Sequence, residues 1–322
     1  MPKLGLGLGL PKPIFVGGGA PVIPQDGLVL WLKPDAGLVL FGNDVLEWQD
    51  QSSAGNNFQQ EEETVVAVED NVINGYPAVL LDEGRLLGSS NIAIAKTIYA
   101  VVRTFNFQVE SYSVILECTG GGLYSAISGP NWGSYFSTEK AATIFISPNT
   151  STIIASLSND GETYEFRRDS QSDVSGNDGE GFYTRSQSYL GNASGLGQSA
   201  NVYLSEIIVY DRVPTTPEIQ QIESYLNVKY AITPWRILIS GAGTATSNGE
   251  YVWDGVTTYE DKPVYNDANG SQIFWFGAYS SWVLYDNIEG IDSYTSTNLT
   301  TWTAENGTGS SPFPTSTLYY TP

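Results

Sequence analysis

The sequence of 322 residues carries 14 Lys and Arg against 35 Asp and Glu, no His and one Cys. Its net charge of −21 repels phosphate backbones and anionic lipid heads, so we expect neither nucleic acid nor a membrane among its partners. The lack of His excludes Ser-His-Asp, Cys-His and zinc chemistry, and the lone Cys118 cannot form an intrachain disulfide.

Residues 1–24 combine five prolines, three consecutive glycines and a strictly alternating LGLGLGL. Alternation of period two is typical of a strand with one apolar face, whereas glycine alone disfavours an ordered strand. We therefore expect a docking peptide and linker that adds a strand to a neighbouring sheet edge, with an unattached terminus as the alternative. The expected docking residues are Leu4, Leu6, Leu8 and Leu10.

The region from residue 25 to residue 233 alternates short apolar runs with clusters of Gly, Asn, Asp and Ser, which predicts many strands joined by turns. The clearest strands are GLVLWLK (27–33), TIYAVVRTF (97–105), SVILEC (113–118), ATIFIS (142–147) and TIIASLS (152–158). The segment NVYLSEIIVYDR (201–212) ends with apolar residues on both faces. It therefore predicts an inner strand that is covered on both sides.

One segment predicts a helix, TTPEIQQIESYLNVKYAI at residues 215–232. Thr216 is its expected N-cap, and Pro217 suits the first helical position. The apolar positions at i, i+3 and i+7 define a face that packs on a sheet. They are Ile219, Ile222 and Leu226.

The last region, residues 234–322, is rich in Tyr, Trp, Ser, Thr and Gly. The dipeptides Asn248-Gly249 and Asn269-Gly270 are flanked by aromatic runs and predict hairpin turns. We expect a small antiparallel β module here.

The middle region resembles the concanavalin A-like lectin/glucanase family, in its laminin-G-like form, over about two thirds of the chain. The matching segments are GLVLWLKPDAGL (27–38), DVLEWQDQSSAGNNFQQ (44–60), NGYPAVLLD (74–82), TIYAVVRT (97–104) and VYLSEIIVYDRVPTTPEIQQIESYLNVKYAI (202–232). The resemblance implies an all-β fold, a two-sheet antiparallel jelly-roll sandwich over residues 25–233 with one C-terminal helix. It implies no activity, since this scaffold serves lectins, hydrolases and structural modules, and the Glu-x-Asp-x-Glu run of the glucanases is missing.

Two further segments, KLGLGLGLPKPIFVGGG (3–19) and SGAGTATSNGEY (240–251), are similar to parts of phage virion proteins. This resemblance implies a tailed-phage structural protein. We expect a tail fibre whose N-terminal peptide binds other virion proteins and whose β modules contact host-surface glycan. Because many copies strengthen weak sugar contacts, we also expect a homo-oligomer, a trimer above all. A capsid decoration protein and a polysaccharide depolymerase are the alternatives.

The expected location follows from two further observations. No apolar run reaches the roughly 20 residues of a membrane span, and the N-terminus lacks the features of a signal peptide. We expect a chain that is made in the host cytoplasm and carried on the virion.

The aromatic residues are the candidate carbohydrate contacts, because an exposed ring can stack on a sugar face. Trp132 and Tyr135 lie in the turn-rich SGPNWGSYF, and Trp253 and Trp282 lie in the last region. Burial in a core is the alternative for each ring.

The acidic residues give weaker indications. The run Glu61–Glu63 and the loop RRDSQSDVSGNDGEG (167–181) read as solvated loops, with a calcium ion as the open alternative at either. Carboxylates such as Glu110 and Glu117 flank a strand start, but rim positions explain them without glycosidase chemistry. We expect no enzyme, no catalytic residue and no cofactor.

Overall fold

The structure is a computed structural model that describes most of the chain. The described residues are 22–61, 66–81, 84–92, 94–104, 113–128, 131–135, 139–141, 151–177, 181–182, 184–191, 200, 202–232, 236–260, 262–288, 290–304 and 311–319. The four predicted docking leucines and the predicted strand at 142–147 lie outside them. The contacts divide the chain into two compact units, Met1–Leu226 and Asn227–Pro322.

The first unit is built from antiparallel strands. Their bounds are β1 Leu28–Leu32, β2 Leu38–Phe41, β3 Asp44–Trp48, β4 Phe58–Gln60, β5 Ala67–Ile73, β6 Tyr76–Leu81, β7 Arg85–Gly88, β8 Thr97–Thr104, β9 Ser113–Glu117, β10 Gly122–Ser128, β11 Asn131–Tyr135, β12 Glu139–Ala141, β13 Ser151–Ser158, β14 Thr163–Arg168, β15 Gln171–Asn177, β16 Tyr189–Gly191 and β17 Val202–Tyr210.

The strands form two sheets that meet at one edge. In the first sheet, β17 pairs with β8 on one side and with β1 and β6 on the other, and β13, β14 and β15 continue beyond β8. The second sheet runs β2, β3, β4, β7, β16, β9, β10, β11, β12. A single bridge between Asp44 and Ala67 joins β3 to β5, which pairs with β6. The arrangement is a β-sandwich.

The core lies between the two sheets. Its fully buried side chains include Leu30 and Val102 from the first sheet and Trp48, Phe58 and Leu116 from the second. Along β1 and β3 the buried side chains alternate with more exposed ones, as expected for two facing sheets. The predicted all-β fold is thereby confirmed for this region.

The strand β17 is covered on both faces, as its sequence predicts. Every residue from Leu204 to Tyr210 is buried. On the side away from the core lies the helix α1, Thr216–Tyr230, whose Ile222 and Leu226 are fully buried. The predicted single helix at the end of the sandwich is therefore confirmed.

The N-cap of α1 is Thr215, one residue before the predicted Thr216. The Thr215 N–H and hydroxyl both donate to the Glu218 carboxylate, at 2.7 and 2.8 Å, and the Thr215 carbonyl accepts from Ile219. The Glu218 carboxylate accepts from the residue before the helix, as in a capping box. That motif needs a Ser or Thr three residues before a Glu or Gln. Only Thr215 has that spacing.

Buried carboxylates fix α1 to the first sheet. Glu223 accepts from the Arg167 Nε at 2.7 Å, and Glu206 of β17 accepts from the Tyr225 hydroxyl at 2.8 Å and the Trp31 indole at 2.5 Å. The desolvation of a buried guanidinium opposes its charge, but the hydrogen bond and charge of Glu223 outweigh that cost and raise the pKa of Arg167. The helix is therefore held by directed contacts as well as by apolar packing.

The second unit is an antiparallel meander. Its strands are β18 Arg236–Ser240, β19 Gly249–Tyr259, β20 Lys262–Asn266, β21 Gln272–Phe276, β22 Ser281–Asp286, β23 Ile291–Ser296, β24 Thr303–Ala304 and β25 Thr315–Tyr319. They pair in sequence order, β25 pairs with β18, and a bridge joins Thr301 to Thr315. The predicted small antiparallel module is thereby confirmed.

Only one of the two predicted hairpin turns is a tight turn. Asn269 and Gly270 lie between β20 and β21, with Gly270 at a φ of 83°. In contrast, residues 241–248 connect β18 and β19 through a short 3-10 turn. The Asn248 side chain stabilises this loop. It accepts from the Ala242 N–H at 2.8 Å and donates to the Ala242 carbonyl at 3.0 Å. The predicted hairpin between β18 and β19 is present, but its turn is a longer loop that the Asn248 side chain stabilises, and the tight turn at Asn248-Gly249 is not formed.

Candidate functional site

Trp132 lies in the core of the first unit. Its ring is fully buried and packs on Phe166 of the opposite sheet with the two ring centroids 5.3 Å apart. A ring in this position cannot stack on a sugar, so the structure corrects its predicted role. The nearby Tyr135 ends β11, and its side chain lies outside the described part of the chain.

The two predicted tryptophans of the second unit differ from each other. Trp253 is 2% exposed and belongs to the core cluster, so it is not available to a ligand. A module of this size needs its large rings for its own core. Trp282 is half-buried, with its ring centroid 5.8 Å from that of Trp275 and 6.1 Å from that of Tyr265.

Two exposed tyrosines of the second unit lie at one end of its sheet. Tyr259 and Tyr279 are 45% and 47% exposed. Each ring packs edge-on against a phenylalanine. The ring centroids are 4.8 Å apart for Tyr279 and Phe276 and 5.6 Å apart for Tyr259 and Phe274. The Glu260 carboxylate accepts from the Gly277 N–H at 2.5 Å and so joins the two turns that carry these rings.

A concave site lies at the rim of the sandwich in the first unit. It is a half-open pocket of about 380 Å³, within the range of small-ligand sites. Apolar and polar side chains from four loops or strand ends converge on it. We call it the rim pocket, and its lining residues are Val29, Asn56, Asn91, Ile94, Lys96 and Asp211.

The loop after β3 is shaped by the Asp50 carboxylate. This group accepts from the backbone N–H of Trp31 at 2.8 Å, from the hydroxyl of Ser52 at 2.7 Å and from the backbone N–H of Asn56 at 2.9 Å. These bonds tie a Ser, Gly and Asn loop to the bulge of β1 between Leu28 and Leu30. As a result, Asn56 is fixed above β1.

The two asparagines of the rim pocket are held in place by the surrounding chain. The Asn56 amide donates to the Val29 carbonyl at 2.7 Å. The Asn91 amide donates to the carbonyl of Arg185 at 2.7 Å and to the hydroxyl of Thr119 at 3.0 Å. Their positions are therefore fixed before any ligand arrives, which lowers the entropy cost of binding.

The two charged groups of the rim pocket are held more loosely. Among the described residues, the Lys96 ammonium makes one hydrogen bond, to the side-chain oxygen of Asn159 at 3.5 Å. Within the described part of the chain, the Asp211 carboxylate makes no hydrogen bond or ion pair, while its backbone N–H donates to Gly27. The pocket therefore offers one cationic donor and one anionic acceptor to a ligand.

A partly buried ion pair lies beside the rim pocket. The Arg185 guanidinium donates to the Glu117 carboxylate, which is 1% exposed and also accepts from the Tyr124 hydroxyl at 3.1 Å. Burial raises the pKa of the adjacent Cys118 thiol to about 12. At neutral pH the thiol is protonated, so it is not an activated nucleophile.

The acidic segments have structural roles where they are described. Glu61 pairs with Arg85, whose hydrogen bond lowers the pKa of that carboxyl. Residues 163–177 form the hairpin of β14 and β15, and Asp169 accepts from the hydroxyl of Thr152 and the N–H of Ile153. The described residues contain no group of three or more Asp, Glu or Cys that could hold a metal ion.

Sequence reasoning missed the lining of the rim pocket. Asn56 and Asn91 lie in loops that the Ser, Gly and Asn clusters predict. Lys96 directly precedes the predicted strand 97–105, and Asp211 is near the end of the predicted segment 201–212. Nothing in the local pattern indicates that these four positions converge. Their strand-end positions are the one signal available, since strand ends from one sheet meet at a common rim.

Comparison with known proteins gives a fold likeness only. No family model and no curated protein matches the sequence. Among solved structures, the binding domain of a Paraclostridial mosquitocidal protein is 12% identical, with a TM-score of 0.48, covering 86% of this chain and 83% of that one. The receptor binding domain of a botulinum neurotoxin C/D mosaic serotype is 10% identical, with a TM-score of 0.46 and coverages of 84% and 73%.

A third similar structure is a domain of an extracellular arabinanase from Geobacillus stearothermophilus, in complex with arabinotriose. It is 12% identical, with a TM-score of 0.44, and the match covers 60% of this chain and 96% of that domain. Identities and scores at this level carry no argument about function. The fold and the rim pocket define an all-β protein with a β-sandwich unit and a candidate small-ligand site.

Within the described part of the chain, no helix has both the length and the apolar character that a membrane-spanning helix needs.

Proposed function

We propose that this protein binds carbohydrate, without catalysis, through the rim pocket of its β-sandwich. One observation carries the proposal. Lys96 and Asp211 line the same half-open pocket, and neither charged group has a strong hydrogen-bond partner within the described residues.

Sugar hydroxyls match the donors and acceptors of the rim pocket. The Asp211 carboxylate can accept from two neighbouring hydroxyls, and the Lys96 ammonium can donate to ring or hydroxyl oxygens. Val29 and Ile94 supply the apolar wall against which the CH face of a pyranose packs. A few placed polar groups on an apolar wall are the usual composition of a small-ligand site.

We expect a neutral sugar as the ligand. The opposite charges of Lys96 and Asp211 balance within the pocket, while the whole chain carries a net charge of −21. An acidic polysaccharide gains one ammonium contact but meets repulsion from the rest of the surface. Neutral oligosaccharides avoid that cost.

The finer assignments remain predictions. Attachment to a phage particle through Leu4–Leu10, a fibre or decoration role, and a trimer belong to this group. The same holds for the lack of enzymatic activity and for a contribution of Trp282 to glycan contact. The rim pocket supports binding in each of these settings, because it does not depend on what the rest of the chain is attached to.

The test is a glycan array with the full chain, followed by calorimetric titration of the best neutral oligosaccharide. Removing the carboxylate with Asp211→Asn should weaken binding at least roughly tenfold, since a hydrogen bond to a charged group contributes about 1.5–3 kcal/mol. Lys96→Gln should weaken it as well.

Glu162→Gln is the matched control, because it also removes one negative charge, from an exposed turn residue outside the pocket. It should bind as the unaltered protein does. An array without any binding, or equal losses in Asp211→Asn and Glu162→Gln, would contradict the proposal.

A further inference from the structure

The strand β2 is an open edge of the second sheet. It pairs with β3, from Leu38 opposite Trp48 to Phe41 opposite Asp44. Within the described residues no strand pairs with its other side. An unpaired row of backbone N–H and C=O groups is a template for one more strand.

This edge is unusually apolar for a surface strand. Phe41 is 75% exposed, Leu40 43% and Leu46 of β3 42%. Proteins usually protect such edges with charged residues or proline, and a contiguous exposed apolar patch marks an interaction site. The β2–β3 hairpin therefore has the features of a surface that is covered in the assembled protein.

The chain itself contains a segment of matching chemistry. Leu4–Leu10 alternates Leu and Gly without a proline, so each of its backbone groups can join a ladder and its leucines fall on one face. Its seven residues exceed the four of β2. Glycine on the other face allows close approach to the partner sheet.

The charges of the two segments are complementary. Lys3 and Lys12 flank the heptad, and residues 1–25 contain no acidic residue. Asp35 lies exposed just before β2, and Asp44 pairs with Phe41 at its end. The peptide is therefore basic, while the hairpin that forms the edge carries carboxylates.

The described chain begins beside α1 and β17. The described chain begins at Val22, whose carbonyl accepts from Gln221 of α1, and the Pro24 carbonyl accepts from the Tyr210 hydroxyl at 2.9 Å. Residues 11–21 separate this point from the heptad and span up to about 35–40 Å when extended, which gives the heptad the reach to dock on a second molecule. We propose that Leu4–Leu10 of one copy adds as a strand to the β2 edge of a second copy of this chain.

The test is disulfide trapping between two full-length variants. One carries Leu8→Cys and the other Leu40→Cys, and the native Cys118 is buried in both. Mixing them under mild oxidation should give covalent mixed dimers. Because a docked strand holds the two thiols at an effective concentration in the millimolar range, the yield should exceed that of the control at least about tenfold.

The control pairs Leu8→Cys with Val252→Cys. Val252 is 47% exposed but lies on β19, which is paired on both sides, so it offers no free edge. Equal trapping at Leu40 and Val252, or none at Leu40, would overturn the proposal. A variant that carries both Leu8→Cys and Leu40→Cys distinguishes the two donors. If it forms only an intramolecular disulfide and stays monomeric, the claim that a second copy donates the strand is overturned.

Discussion

The side-chain amide of Asn56 donates a 2.7 Å hydrogen bond to the carbonyl oxygen of Val29, at the bulge where β1 departs from regular pairing with β17. This bond closes one wall of the rim pocket. The bond forms because the Asp50 carboxylate accepts from the N–H groups of Trp31 and Asn56 and so holds the loop against β1. The shape of the site therefore depends on a residue that does not line it.

Asp50→Ala should open the rim pocket. Several backbone and hydroxyl donors lose a charged acceptor, so we expect a loss of about 2–4 kcal/mol in the free energy of unfolding, together with loss of glycan binding. Urea denaturation measures the first and calorimetry the second. Wild-type affinity in a folded Asp50→Ala variant would show that this loop does not shape the site.

Arg167→Met should strongly destabilise the first unit. It leaves the Glu223 carboxylate, which is 3% exposed, buried without its guanidinium, and breaking such a pair costs about 3–5 kcal/mol. The double variant Arg167→Met/Glu223→Leu should recover part of this loss, because it removes the unpaired charge. Chemical denaturation of the two variants gives the comparison, and a double variant no more stable than the single one would contradict it.

The cap of α1 should make stability depend on acidic pH. The hydrogen bonds from Arg212 and Thr215 lower the pKa of Glu218 from 4.5 to about 2. A carboxyl with a lowered pKa in the folded state stabilises above its unfolded pKa. This contribution should therefore disappear as the pH falls from about 4.5 to about 2.

Glu218→Gln is the comparison for that pH dependence. The variant should lose stability at neutral pH and show a flatter dependence of its urea midpoint between these two values, since the glutamine does not titrate. Parallel curves for the variant and the unaltered protein would contradict the assignment to Glu218.

Gly161→Ala should destabilise the first unit more than the matched Gly75→Ala. Both glycines have positive φ, 82° and 88°, so each substitution carries a backbone strain of about 1–2 kcal/mol. At Gly161 the added Cβ would also overlap the backbone of Gly181, whereas at Gly75 it meets open space. Thermal denaturation of the two variants isolates the effect of the overlap on stability. Equal losses of stability would show that the backbone at Gly161 relaxes to accommodate the added Cβ.

The sequence predicts the strands and the helix of this fold better than it predicts which of them pack together. Apolar runs and one helix-period segment identify β8, β9, β13, β17 and α1, because each pattern is local. The aromatic residues were harder, since the turn-rich segment around Trp132 suggested an exposed ring. Only the pairing of strands decides that Trp132 faces Phe166 in the core.

The rim pocket shows the same limit. Asn56, Asn91 and Asp211 are far apart in the chain and converge because strand ends and loops share one rim. No local period or spacing encodes that convergence. Asn248 illustrates a related difficulty, since its dipeptide favours a tight turn, while its side chain can also clip a longer loop through Ala242.

The central claim is that the rim pocket is the carbohydrate site, and its most direct test is an amide NMR titration of the full chain with an array-positive neutral oligosaccharide. We predict that the largest shift changes fall on the backbone of Asn56, Asn91, Lys96 and Asp211. Saturating changes confined to the second unit, around Tyr259 and Tyr279, would contradict it.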